Sequence, residues 1–208
     1  GSLPGDDPSR DRSETEAAID ASGIDLDPVP PGHHRHADEV HADGHSHPHQ
    51  HSGPGERPIT GIVGGGAVGT ALGVALTRAG WPVHAVASRD PVRRQRFAAL
   101  VEGARGFAET QALIEEVELI ILAVPDDALA PLARSVRVYS GQAMIHTSGA
   151  LGAEVLAPAM AAGTQAGAFH PLVAFADTER AIAALRGATI AIEGDDQLAA
   201  LLADMADA

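Results

Sequence analysis

The chain has 208 residues and no Cys, room for one domain with extensions, and a composition that excludes disulfides, a thiol nucleophile and Cys-ligated zinc. Its 28 Asp and Glu stand against 14 basic residues, all of them Arg, and the net charge of −14 argues against a nucleic-acid partner. No apolar run approaches the ~20 residues of a membrane span and the acidic start is no signal peptide, so no membrane partner and a cytoplasmic location are expected.

Residues 1–57 read as a disordered acidic tail. Large apolar side chains are nearly absent, and 12 Asp and Glu against 4 Arg put about −8 of the charge here. Such a segment buries too little apolar surface to offset its ordering entropy. It holds 8 of the 11 histidines: His33, His34, His36, His41, His45, His47, His49 and His51. Alternating imidazoles can take Zn, Ni or Cu. A solvated low-complexity tail with incidental metal affinity is the simpler reading, and no metal site is assigned.

Residues 58–194 alternate strand and helix. Ile59–Val63 is an apolar run that breaks into Gly64, Gly66 and Gly69, the G-x-G-x-x-G spacing, and a helical pattern follows through Val68, Leu72, Ala75, Leu76 and Ala79. In that context Gly64 permits the tight turn, Gly66 lets a pyrophosphate approach the backbone, and Gly69 lets helix and strand pack closely. The N–H groups at the helix start, around Ala67 and Val68, face the phosphates. Gly80 and Pro82 end the helix.

Val83–Ala87 is the second strand. Where NAD-binding folds place an acid for the ribose 2′-OH, this chain has Ser88 and Arg89, a hydroxyl and a guanidinium suited to a 2′-phosphate. NADP is therefore expected over NAD. Asp90 is placed to cap a helix over Pro91–Val101, whose Arg93, Arg94 and Arg96 are exposed; Arg93 or Arg94 can add charge at the phosphate.

Glu118–Val124 is nearly all apolar, as a central parallel strand requires. Pro125 stops it, and Asp126 or Asp127 is placed to cap a helix from about Ala128. Ala143–His146, Ala166–Phe169 and Ala188–Ile192 are further strands. The pattern predicts an α/β fold with a doubly wound, mainly parallel sheet. Residues 195–208 read as a capped helix with an apolar stripe, Leu198, Leu201, Leu202 and Met205, that needs a partner.

PITGIVGGGAVGTALGVALTRAGWPV, SRD, LIILAVPDDAL, MIHTSGALG and AFHPLVAFAD follow one another over residues 58–208. Together they resemble the Rossmann-like NADP oxidoreductases with a C-terminal helical domain, in the 6-phosphogluconate dehydrogenase-like group. Ketopantoate and pyrroline-5-carboxylate reductases are similar. The HTSG and HPL segments are the more particular ones. The resemblance implies that Val124 and Pro125 pass close to the coenzyme ribose. It also implies a C-terminal helical domain that makes a homodimer and brings a Lys and a Tyr-His pair. This sequence has no Lys and reaches 208 where that domain would begin, so the expectation is that the domain is missing or truncated.

Two loops beyond strand ends carry candidate chemistry. A hydroxyl in Thr147-Ser148-Gly149, Ser148 above all, is placed to bond a substrate carbonyl or carboxylate; capping of the next helix is the alternative. His170, held by Pro171, is placed to donate to a developing alkoxide; a structural histidine bonded to a backbone carbonyl is the alternative. The reading is an NADPH-dependent reductase of a C=O or C=N group in a small, carboxylate-bearing substrate, a 2-oxo acid such as ketopantoate being the first to test. A non-catalytic NADP-binding or redox-sensing module is the rival.

Overall fold

The structure, a computed structural model, describes residues 56–208. The tail reading therefore lies outside the described residues up to 55. Arg57, the last residue that reading gives to the tail, is in contact with the α/β unit. Its guanidinium donates to the Ala79 carbonyl at 2.7 Å and lies 5.0 Å from the centre of the Trp81 ring.

The elements run β1 (Thr60–Val63), α1 (Ala67–Arg78), β2 (Val83–Ala87), α2 (Pro91–Leu100), β3 (Arg105–Phe107), α3 (Thr110–Ile114), β4 (Leu119–Leu122), α4 (Asp126–Ser135) and β5 (Ala143–His146). A 3-10 turn, Ala153–Leu156, then leads into α5 (Ala157–Ala161), β6 (Gln165–Pro171), α6 (Thr178–Leu185), β7 (Ile190–Glu193) and α7 (Asp196–Asp207). The seven strands form one sheet in the order β3-β2-β1-β4-β5-β6-β7. All neighbours are parallel except β6 and β7.

Alternation along the central strands divides the core. In β4, Leu119 and Ile121 join Ile62, Val86, Ile145 and Phe169 on one face, under α1, α2 and α7. Ile120 and Leu122 join Val63, Met144, Leu129 and Leu156 on the other, under α3, α4 and α5. All four β4 side chains are fully buried, which is why the run reads as continuously apolar.

The structure departs from the sequence reading in five places. β3 and α3, of three and five residues, fill a stretch that the pattern left blank. α4 starts at Asp126, so Asp126 and Asp127 sit in its first turn and make no side-chain cap; their carboxylates face the positive helix end instead. β6 runs on through His170 and Pro171, because both pair with β7. β7 is antiparallel, not parallel: the excursion from β6 through α6 returns to the same end of the sheet, where Leu172 N–H meets the Thr189 carbonyl at 2.9 Å. Finally, the α7 stripe is taken up by the sheet itself. Leu198 and Leu202 are fully buried in the core, and α7 packs on β6 and β7 as part of the α/β unit.

Candidate coenzyme site

β1 lies between β2 and β4, so the chain leaves it to one side and later returns on the other. The strands stay paired to their carboxyl ends, but the connections leaving β1 and β4 run to opposite faces of the sheet and leave a crevice between them, the place where open parallel sheets bind ligands. A cleft of about 950 Å³ occupies it, within the range of coenzyme and ligand pockets.

Its floor is the turn after β1. Gly64 has φ +112°, and a Cβ there would stand 2.1 Å from the Ala123 carbonyl oxygen. Gly69 is packed just as closely: a Cβ would come 1.9 Å from the Gly64 carbonyl oxygen and 3.0 Å from Ile62. Gly66 differs. It is the N-cap of α1, with φ −80°, and a Cβ would meet only an Arg93 guanidinium nitrogen, at 4.0 Å. No side chain caps α1 and no acid occupies its first turn. The N–H groups of Ala67, Val68 and Gly69 precede the first intrahelical bond, from Thr70 to the Gly66 carbonyl. An uncapped helix start with a bare approach fits an anionic group, and a diphosphate above all.

One wall is the turn after β2. Ser88 and Arg89 line the cleft, together with Asp90 and Arg93. Asp90 caps α2 as its position predicts, accepting from Val92 N–H at 2.9 Å. It also pairs with Arg93 at 3.4 Å. Arg94 is turned away, onto the backbone of Ser88 and Arg89. The opposite wall is Val124, Pro125 and the α4 residues Ala128, Pro131, Leu132 and Ser135, mostly apolar as a base or ring requires. Thr147 and Phe175 also line the cleft.

Of the sequence-derived coenzyme residues, Gly64, Gly66, Ala67, Val68, Ser88, Arg89, Val124 and Pro125 all line this cleft; Gly69 lies beneath it, packed on β1. Ala108, Thr110, Pro131, Leu132, Ser135 and Phe175 line it too and were missed. Ala108 and Thr110 belong to the short β3–α3 passage, which carries no periodic signal. Phe175 had one: a large apolar residue two positions before the Asp177 helix cap.

Ser148 and His170 do not line the cleft. Both are held by the loop that follows β5. His146, fully buried at the end of β5, clasps the loop: its Nδ1 accepts from Ser148 N–H at 3.2 Å, and Nε2 donates to the Gly152 carbonyl at 3.0 Å. Ser148 is buried, and its Oγ accepts from Ala150 N–H at 3.1 Å. His170 is half-buried; Nδ1 donates to the Thr147 carbonyl at 3.0 Å, and the ring lies over Gly149. A Cβ on Gly149 would stand 2.3 Å from His170 Nε2. The carbonyl bond fixes the tautomer so that Nε2 carries a lone pair. Among the described residues no cluster of His, Asp and Glu is arranged to hold a metal ion, and no helix is long and apolar enough to cross a membrane.

The model of the Rossmann-like domain family matches residues 47–171. The chain belongs to that family. Solved structures of similar fold agree with it. A Bacteroides fragilis protein described as an NADP oxidoreductase is 24% identical with a TM-score of 0.58, over 71% of this chain and 55% of that one. Prephenate dehydrogenase from Aquifex aeolicus is 13% identical with a TM-score of 0.61, over 72% and 58%. 3-Hydroxyisobutyrate dehydrogenase from Salmonella typhimurium is 21% identical with a TM-score of 0.55, over 72% and 52%. This Rossmann-like domain thus shares its fold with dehydrogenases and spans little more than half the length of each. No curated protein sequence matches it.

Proposed function

We propose that the chain is the coenzyme-binding part of an NADPH-dependent oxidoreductase that reduces a C=O or C=N group of a small, carboxylate-bearing substrate. One observation carries the reading: the uncapped start of α1 opens into the same cleft as Ser88 and Arg89. The first suits a diphosphate, and the second suits a 2′-phosphate where an acid would repel it. When bound, NADPH supplies the hydride. The chain's own part is to orient it. The α1 amides fix the diphosphate, Arg89 and Ser88 the ribose phosphate, and Val124 and Pro125 the adjoining ribose. Thr147 lines the cleft, and His170, once its Nε2 lone pair has taken up a proton, is the candidate donor to the alkoxide or amine, with Ser148 in the same loop as Thr147. A 2-oxo acid such as ketopantoate is the first substrate to test, and a homodimer completed by a C-terminal helical domain is the proposed assembly.

The test is a fluorescence titration of the purified chain with NADPH and NADH. Arg89→Ala should weaken NADPH about 10- to 100-fold and NADH little, since a charge-assisted hydrogen bond is worth roughly 1.5–3 kcal/mol. Equal losses would refute the 2′-phosphate assignment.

A second reading is a non-catalytic NADP-binding module, favoured by the withdrawal of Ser148 and His170 from the cleft wall. NADPH binding without oxidation by any 2-oxo acid or cyclic imine, with the C-terminal domain of a longer relative supplied, would select it.

A further inference from the structure

Arg94 lies one turn into α2 and reaches back rather than into the cleft. Its Nη1 donates to the carbonyl oxygen of Ser88 and, at 3.1 Å, to that of Arg89. One terminal guanidinium nitrogen carries two N–H groups, so each carbonyl receives its own. The stem is seated on β3: a Cβ on Gly106 would stand 3.1 Å from the Arg94 Cβ, so the glycine leaves the space that the stem fills. The same turn is tied twice more, by Ser88 N–H to the Phe107 carbonyl at 3.1 Å and by the Asp90 cap on Val92. The two carbonyls that Arg94 holds belong to the two residues whose side chains line the cleft at the end of β2.

We infer that Arg94 is a positioning residue for coenzyme selectivity: it locks the backbone of Ser88 and Arg89, and so sets where their hydroxyl and guanidinium meet a ribose 2′-phosphate, without binding that phosphate itself. The inference rests on the NADP reading above. Arg89 is exposed and long, and a turn free to move would present it from many backbone positions. The ligand would then bear the ordering cost. A pinned turn has met that cost in advance. NADH has no 2′-phosphate, so loosening the turn penalises NADPH selectively. The neighbouring arginines thus differ in role, since Arg93 lines the cleft and Arg94 holds the frame.

The experiment is a double-mutant cycle. NADPH and NADH dissociation constants are measured for Arg94→Met in the wild-type chain and in a Ser88→Ala/Arg89→Ala background, with thermal unfolding as the control on folding. Arg94→Met should lower the preference for NADPH roughly three- to tenfold in the wild type. In the background variant it should lower it no further, because the groups it positions are gone. An equal drop in both backgrounds would overturn the inference in favour of a direct phosphate contact. An unchanged preference with a lower melting temperature would overturn it in favour of plain fold support. Arg94→Lys, run in the same cycle, keeps the charge without the planar fork and carries the test should the Met variant not fold. Full recovery of the preference by Lys would also overturn it. A wild-type chain with no preference for NADPH sinks the cofactor reading and the inference with it. A preference that is present but lost additively sinks the inference alone.

Discussion

The glycines of the turn after β1 separate fold from ligand. Gly69 is walled in by the Gly64 carbonyl, so Gly69→Ala must push β1 and α1 apart. We expect a clear fall in melting temperature. Gly66 has an ordinary φ and open space around its missing Cβ. Gly66→Ala should therefore leave stability within about 1 kcal/mol while weakening NADPH and NADH alike by at least roughly tenfold. Calorimetric titration beside thermal unfolding checks both. In the loop after β5, Gly149→Ala would drive its methyl into the His170 ring. If His170 donates the proton, turnover of an accepted 2-oxo acid or imine should fall while the dissociation constant for NADPH holds; unchanged turnover would leave His170 as a prop for the Thr147 carbonyl.

Helix starts among the described residues are of two kinds. α2, α6 and α7 carry capping Asp residues, and α1, α3, α4 and α5 carry no side-chain cap. At α7 the Leu198 N–H, and after it the Gln165 amide, hold the Asp195 carboxyl below its ordinary value of 3.8. Since the folded-state value is the lower one, the cap contributes in full above about pH 3.8 and is lost as the pH falls through the depressed value. Asp195→Ala should thus melt earlier than wild type at neutral pH, and the gap should close in acid. The same contrast explains what was legible beforehand. β2 and β5 were readable to the residue because apolar runs end there at Ser88 and Thr147. The Asp90 cap was readable because Pro91 follows it. β3 was not: Arg-Gly-Phe offers no alternation, and its pairing with β2 is visible only in three dimensions. The extent of β6 was hidden because His170 and Pro171 look like a stop, while the antiparallel partner that keeps them in the sheet lies about twenty residues on. In the site, glycine spacing and the residues after β2 were legible because they are local. The withdrawal of Ser148 depends on a buried histidine's bonds, which no spacing reveals.

Over the whole α/β unit, the last helix is structural. Leu202 on α7 is fully buried in the core shared with β1, β4 and β5. Leu202→Ala should destabilise by about 2–5 kcal/mol, and denaturant unfolding followed by circular dichroism should show one cooperative transition at lower midpoint. Two separate transitions would mean that α7 folds apart from the sheet. α7 also closes a circuit. Arg57, at the first described stretch of the backbone, lies 3.9 Å from Asp204, near its last, and the same guanidinium sits over Trp81, which precedes β2. That is the opposite rim from the crevice. Splicing 208 back to 57 with a few flexible residues would make a ring of the α/β unit, and new ends cut at the exposed Gly141 turn would yield a rewired polypeptide whose cleft mouth stays clear of the splice.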